Sequence, residues 1–105
     1  MENDNVLEIS KIDLIKMVRA ILSNISLLEA KTVVEFFLKA QGFTEKNAVS
    51  YYFDAQDLVN FSRFIGAIGS GEIAFEEEPM GSAKLVWSNP REVTIDDVAK
   101  IVRGY

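Results

Sequence analysis

The sequence contains neither cysteine nor histidine. Without cysteine there is no thiol to form a disulfide, attack a substrate, hold an iron–sulfur cluster or bind zinc. Without histidine no Ser-His-Asp hydrolase can be assembled, and no side chain ordinarily changes its charge near neutral pH. The composition therefore predicts a protein that is not an enzyme, with no catalytic, cofactor-binding or metal-binding residues.

Long apolar runs are also missing. The longest candidate spans residues 64–68, whereas a membrane-spanning helix needs about 20 consecutive apolar residues. The first five residues are polar and acidic, unlike the basic and then apolar start of a secretory signal. These two features predict a soluble domain without membrane contact, and the expected compartment is the cytoplasm.

Positive charge is scarce and scattered. Eleven Lys and Arg residues stand against 16 Asp and Glu residues, which gives a formal net charge of −5, and no two basic residues are adjacent. Proteins that bind nucleic acids concentrate basic side chains on one face to displace counterions from phosphates. The acidic balance therefore argues against a nucleic-acid partner and favours a protein partner.

The apolar content is sufficient for one folded domain. Hydrophobic residues make up 49% of the 105 residues, and a chain of this length can bury a core of its own. We predict one globular domain over residues 1–105, with residues 1–8 flexible. The expected fold is α+β, with three or four helices packed on a small antiparallel sheet that contains a β-hairpin at about 72–88.

Two helix starts are recognisable near the beginning of the chain. Ser10 and Ser26 each precede an acidic residue three positions later, and apolar residues then recur at helical spacing. These patterns predict helices over about 11–24 and about 27–41. Gly42 suits the left-handed position that commonly follows a helix.

The middle of the chain is ambiguous. Residues 44–47 resemble another helix start, yet the aromatic residues within 45–53 suit a strand as well as a helix. From Asp54 onward the apolar spacing is helical. The sequence is therefore compatible with one long helix over about 45–67 or with a break near Asp54.

A change in the hydrophobic period from 3.6 to 2 marks the β-hairpin. At strand spacing Ile73 and Phe75 share one face and the glutamates at 72 and 76 the other, Leu85 and Trp87 share a face, and Pro79 and Gly81 suit the turn between the two segments. The acidic run at 76–78 sends its carboxylates to both faces of the strand. A solvated, aggregation-resistant face is therefore favoured over a metal site.

The last predicted element is a helix from Thr94 to about Arg103. The elements before it, three helices followed by the hairpin, have the order of a winged-helix domain with the hairpin as its wing. In that fold the third helix presents basic side chains to DNA, and residues 54–68 offer only one. A winged-helix transcription regulator that contacts DNA is therefore an alternative function.

Residues 54–90 follow a recognisable order of elements. A helix runs into Gly69-Ser70-Gly71-Glu72-Ile73, an acidic hairpin follows, and the segment closes with Leu85-Val86-Trp87-Ser88-Asn89-Pro90. This order resembles the middle of vinyl-reductase-type domains, which are small-molecule-binding or partner-binding modules related to subunits of vesicle-tethering complexes. The resemblance implies a binding role, so a small-molecule-binding domain is a further alternative.

Aromatic residues are the best candidates for a binding surface. Five of them lie within fourteen consecutive residues, and a helix cannot bury all of them on one side. The candidate interface residues are Tyr51, Tyr52, Phe61, Phe64, Met80 and Trp87. The leading hypothesis is a non-enzymatic protein-interaction module that self-associates, as a homodimer, through an aromatic and aliphatic surface.

Overall fold

The computed structural model describes residues 6–43, 49–78, 81 and 83–104, which form four helices and two two-stranded antiparallel sheets. In chain order the elements are β1 (Leu7–Ser10), α1 (Lys11–Ile21), α2 (Leu27–Gln41), β2 (Ser50–Phe53), α3 (Ala55–Gly69), β3 (Ile73–Glu77), β4 (Ala83–Trp87) and α4 (Ile95–Val102). The predicted α+β class is confirmed. Within the described part of the chain, every helix is too short or too polar to cross a membrane.

Side-chain caps fix where the helices begin. In α2, α3 and α4 the cap residue and the third helical residue exchange hydrogen bonds, in the pairs Ser26 with Glu29, Asp54 with Asp57 and Thr94 with Asp97. At α1 the hydroxyl of Ser10 accepts a hydrogen bond from the N–H of Asp13 at 3.0 Å. Each cap satisfies a backbone N–H that has no partner within the helix.

Helix α1 is shorter than predicted. It ends at Ile21, three residues before the predicted limit at residue 24, and Asn24 has a φ of 70°. The backbone already leaves the helical conformation at Leu22, whose ψ is 87°, and the left-handed Asn24 prevents the helix from continuing. Gly42, with a φ of 86°, ends α2 at the predicted place.

The ambiguous middle segment contains a strand. β2 ends at Phe53 and Asp54 then caps α3, so a single long helix over 45–67 is wrong and the break near Asp54 is confirmed. Residues 44–48, where the sequence indicates a helix start, lie outside the described residues.

Strand β1 has no counterpart among the predicted elements. The sequence predicts a flexible segment over 1–8, but Leu7 pairs with Phe53 and Glu8 with Tyr52 in the antiparallel β1–β2 ribbon. Residues 1–5 lie outside the described residues. A strand of four residues gives little local signal, because its apolar side is recognisable only against a partner strand that begins forty residues later at Ser50.

The predicted hairpin is present as β3 and β4. Its register pairs Ile73 with Trp87 and Phe75 with Leu85, and Ile73 and Leu85 are buried. Turn residues 79, 80 and 82 lie outside the described residues.

Helix α2 lies at the centre of the core and contacts α1, α3, α4 and β4. The ring of Phe37 meets those of Phe53 and Phe61 edge-on, at centroid distances of 5.7 Å and 5.1 Å. Phe64 is also fully buried. Phe37, Phe61 and Phe64 therefore belong to the packed interior.

Candidate interaction surface

Three of the predicted interface residues belong to the core. Phe61 and Phe64 lie on the buried stripe of α3, and Tyr51 lies on the inner face of the β1–β2 ribbon, opposite Ile9. The tyrosine ring packs at 5.7 Å from the ring of Phe43. The five aromatic residues at 51–64 suggest an exposed patch only if they share one helix. In the structure they are divided between a strand and a helix, and each of these elements has a buried side. These three side chains are therefore removed from the candidate surface.

Trp87 has mainly internal contacts, and Met80 lies outside the described residues. The half-buried indole of Trp87 donates a hydrogen bond from Nε1 to Oδ2 of Asp97 at 3.3 Å. The guanidinium of Arg91 lies 5.5 Å from the centre of the indole ring. Trp87 thus joins β4 to the first turn of α4 and has little surface left for a partner.

Asp97 is the polar centre of this junction. Its carboxylate accepts a hydrogen bond from the N–H of Thr94, which is the main reason why the pKa of Asp97 lies below its ordinary value of 3.8. The indole N–H of Trp87 and the positive charge of Arg91, 3.6 Å away, lower the pKa further, while partial burial opposes them. The ionised carboxylate is therefore stabilised by folding.

We expect Asp97→Asn to destabilise the fold by about 1 kcal/mol at pH 7, because the charged cap is lost. Since folding lowers the pKa of Asp97, its contribution is complete above the unfolded value of 3.8 and disappears as the pH falls through the folded value. Urea unfolding at pH 7 and at about pH 3 measures the full contribution and its decrease on acidification. Asp96→Asn, in the same helical turn, is the control, and an equal deficit for Asp97→Asn at both pH values would contradict the expectation.

Tyr52 is the candidate that the structure leaves on the surface. Strand alternation turns it away from the core, and 61% of its side chain is exposed. Of the nine large hydrophobic side chains exposed among the described residues, seven lie on the β1–β2 ribbon, next to it in sequence, or in the helical turns that follow its strands. We call this set the ribbon surface; it comprises Val6, Leu7, Ile12, Val49, Tyr52, Leu58 and Val59, and Leu7, which pairs with Phe53, lies on the opposite face of the ribbon from Tyr52.

The two strands of the ribbon carry little charge. Glu8 is the only Asp, Glu, Lys or Arg residue on either strand, and its carboxylate accepts a hydrogen bond from the hydroxyl of Ser50 at 2.8 Å. β2 itself reads Ser-Tyr-Tyr-Phe. Asp57, at the start of α3, is engaged by the N–H of Asp54 and by the amide of Gln41.

A second apolar area lies at the other end of α1. A groove of about 400 Å³ separates this helix end from β3, and no charged residue lines it. Ile21, with 55% of its side chain exposed, stands at the groove, and Leu27 is exposed at the start of the next helix. Because α1 places Ile12 and Ile21 at opposite ends, the groove is separate from the ribbon surface.

The acidic hairpin neutralises part of its own charge. The ammonium group of Lys84 on β4 lies 3.3 Å from Glu78 and 3.4 Å from Glu76, and their hydrogen bonds and charge raise the pKa of Lys84. Within the described residues no group of three or more acids, histidines or cysteines is arranged to hold a metal ion.

Helix α3, which a winged-helix protein would direct at DNA, presents few bases. Its one basic residue, Arg63, donates a hydrogen bond to the backbone carbonyl of Val102 at 2.8 Å, at the end of α4. The exposed Leu58 and Val59 precede it on the helix.

No family model, no curated protein and no solved structure matches the chain. The resemblance of residues 54–90 to vinyl-reductase-type domains therefore stays a prediction, as does the winged-helix alternative. The candidate site is defined by the described residues of the molecule, and its main feature is the ribbon surface, whose two strands carry one charged side chain, that of Glu8.

Proposed function

We propose that the chain is a non-enzymatic protein-interaction module that self-associates as a homodimer through the ribbon surface. The observation that supports it is the gathering of seven of nine exposed large hydrophobic side chains on and around the β1–β2 ribbon. Full burial of one such side chain is worth about 1.5–3 kcal/mol. Covering several of them at once supplies a driving force for association.

The charge distribution favours a second copy as the partner. A chain with a net charge of −5 repels its own copies, so a dimer is stable only where the contacting faces carry little charge. In a two-fold dimer the same patch occurs on both sides, and every like charge in it is doubled. The two strands of the ribbon meet this condition, since Glu8 is their only Asp, Glu, Lys or Arg residue.

Tyr52 is suited to anchor this contact. A tyrosine provides a large apolar ring with few rotatable bonds, so little side-chain entropy is lost when it is covered, and its hydroxyl group can still find a hydrogen-bond partner. Its position on the outer face of β2 leaves the ring accessible without any change in the fold.

Light scattering across concentration tests the proposal. Between about 1 μM and about 1 mM protein, the mass is expected to rise from that of one chain toward that of two. Added salt should strengthen the dimer because it screens repulsion between the acidic chains, whereas DNA binding would weaken with salt. A mass that stays at one chain up to about 1 mM would refute the function proposed for this chain.

A further inference from the structure

We infer that the homodimer forms when the free edge of β2 pairs antiparallel with the same edge of a second copy. The two ribbons then make one four-stranded sheet in the order β1–β2–β2–β1. This geometry rests on the proposed self-association and specifies which backbone groups meet.

One edge of β2 has no partner strand in the part of the chain that the structure describes. Among the described residues β2 pairs with β1 alone, and every second residue of an edge strand turns its N–H and C=O outward. Exposed edges are usually blunted by proline, lysine or a bulge, and the segment from Ser50 to Phe53 contains neither proline nor lysine. A ribbon of two strands is also marginal by itself, so further strands stabilise it.

Charge selects the edge of β2 over the edge of β1. Pairing β1 with itself places the two Glu8 carboxylates on adjacent strands of the new sheet, where like charges repel, whereas pairing β2 with itself keeps them three strand spacings apart. When β2 pairs with itself, two registers are possible. With Tyr52 on the two-fold axis, Tyr52 lies opposite Tyr52 of the second copy; with Tyr51 on the axis, it lies opposite Ser50. Neither arrangement opposes two charges.

The two-fold pairing of β2 also closes the assembly. Pairing β1 of one copy with β2 of the next would leave a free edge at each end and would extend into a polymer. In the β2–β2 dimer the outer edges belong to β1, where the charge of Glu8 discourages further addition.

The antiparallel pairing gives the exposed side chain of Val49 a contact in the second copy. This residue directly precedes β2, and 81% of its side chain is exposed. In the dimer the start of one β2 lies beside the end of the other, so Val49 comes next to the beginning of α3 of the second copy. Leu58 and Val59 are exposed in the first turns of that helix.

Disulfide trapping tests the register, since the chain has no cysteine of its own. Opposed side chains across an antiparallel pair have Cβ atoms about 5 Å apart, close enough for a disulfide after a small adjustment. If Tyr52 lies on the two-fold axis, Tyr52→Cys alone is expected to form a covalent dimer on mild oxidation. If Tyr51 lies on the axis, a mixture of Tyr52→Cys and Ser50→Cys is expected to do so. Glu8→Cys is the matched control, because three strand spacings of about 4.8 Å place its two copies about 14 Å apart.

We expect cross-linking through Tyr52→Cys, alone or in the mixture, to be at least about 10-fold faster than through Glu8→Cys. Equal or faster cross-linking through Glu8→Cys would overturn the inference. Hydrogen exchange on the unmodified chain provides an independent measurement: amides within 50–53 should slow by on the order of 10-fold at dimer concentrations, while those of 7–10 should not change.

Light scattering and hydrogen exchange distinguish self-association from the pairing of the β2 strands. A chain that stays monomeric by light scattering refutes the proposed function, and with it the pairing. A dimer by light scattering whose β2 amides exchange as fast as in the monomer refutes the strand pairing alone.

Discussion

Phe37→Ala is expected to lower the free energy of unfolding by about 3–5 kcal/mol. The side chain has no exposed surface, and its ring meets the edges of the rings of Phe53 and Phe61. Truncation removes both the buried area and these edge-on contacts, which contribute about 0.5–1.5 kcal/mol per pair. Since domains of this size are stable by about 5–15 kcal/mol, the loss is a large part of the total.

Urea unfolding followed by circular dichroism measures this effect, and Phe36→Ala is the matched control. Phe36 is the neighbouring residue on α2, of the same type, but only partly buried. Its truncation should cost less than half as much as that of Phe37, because solvent already covers part of the ring. Equal losses for the two variants would mean that the interior is not organised around Phe37.

The helices could be predicted from the sequence because their signals are local. A cap and the residue that completes it lie three positions apart, so Ser26 with Glu29 and Thr94 with Asp97 are recognisable without any knowledge of the fold. The same holds for Gly42 at the end of α2. The end of α1 could not be predicted in the same way, because the backbone leaves the helical conformation at Leu22, and leucine is a residue that favours helices.

The β1–β2 ribbon could not be predicted because its pairing is non-local. Leu7 meets Phe53, and neither strand is long enough to show a clear alternation by itself. This gap also limits what the sequence indicates about the site. Whether Tyr51 or Tyr52 is exposed depends on whether the segment is a strand or a helix, and only strand geometry places neighbouring residues on opposite faces.

Tyr52→Lys is expected to raise the dissociation constant of the proposed homodimer by about 100-fold, which corresponds to about 2.7 kcal/mol. The substitution removes the exposed ring and places an ammonium group on the edge strand, where lysine opposes strand addition. The fold should be retained, because residue 52 pairs with Glu8 across the ribbon and the lysine gains an opposite charge there. Light scattering or sedimentation across concentration measures the dissociation constant.

Ile21→Lys separates the effect of the site from that of charge. Both substitutions replace an exposed apolar side chain, and both change the net charge of the chain from −5 to −4. General repulsion between copies therefore decreases equally in the two variants. Ile21 lies at the groove at the far end of α1, so its substitution should change the dissociation constant by no more than about 2-fold. If Ile21→Lys disrupted the dimer while Tyr52→Lys did not, the contact would lie at the groove, and the ribbon surface would have no part in self-association.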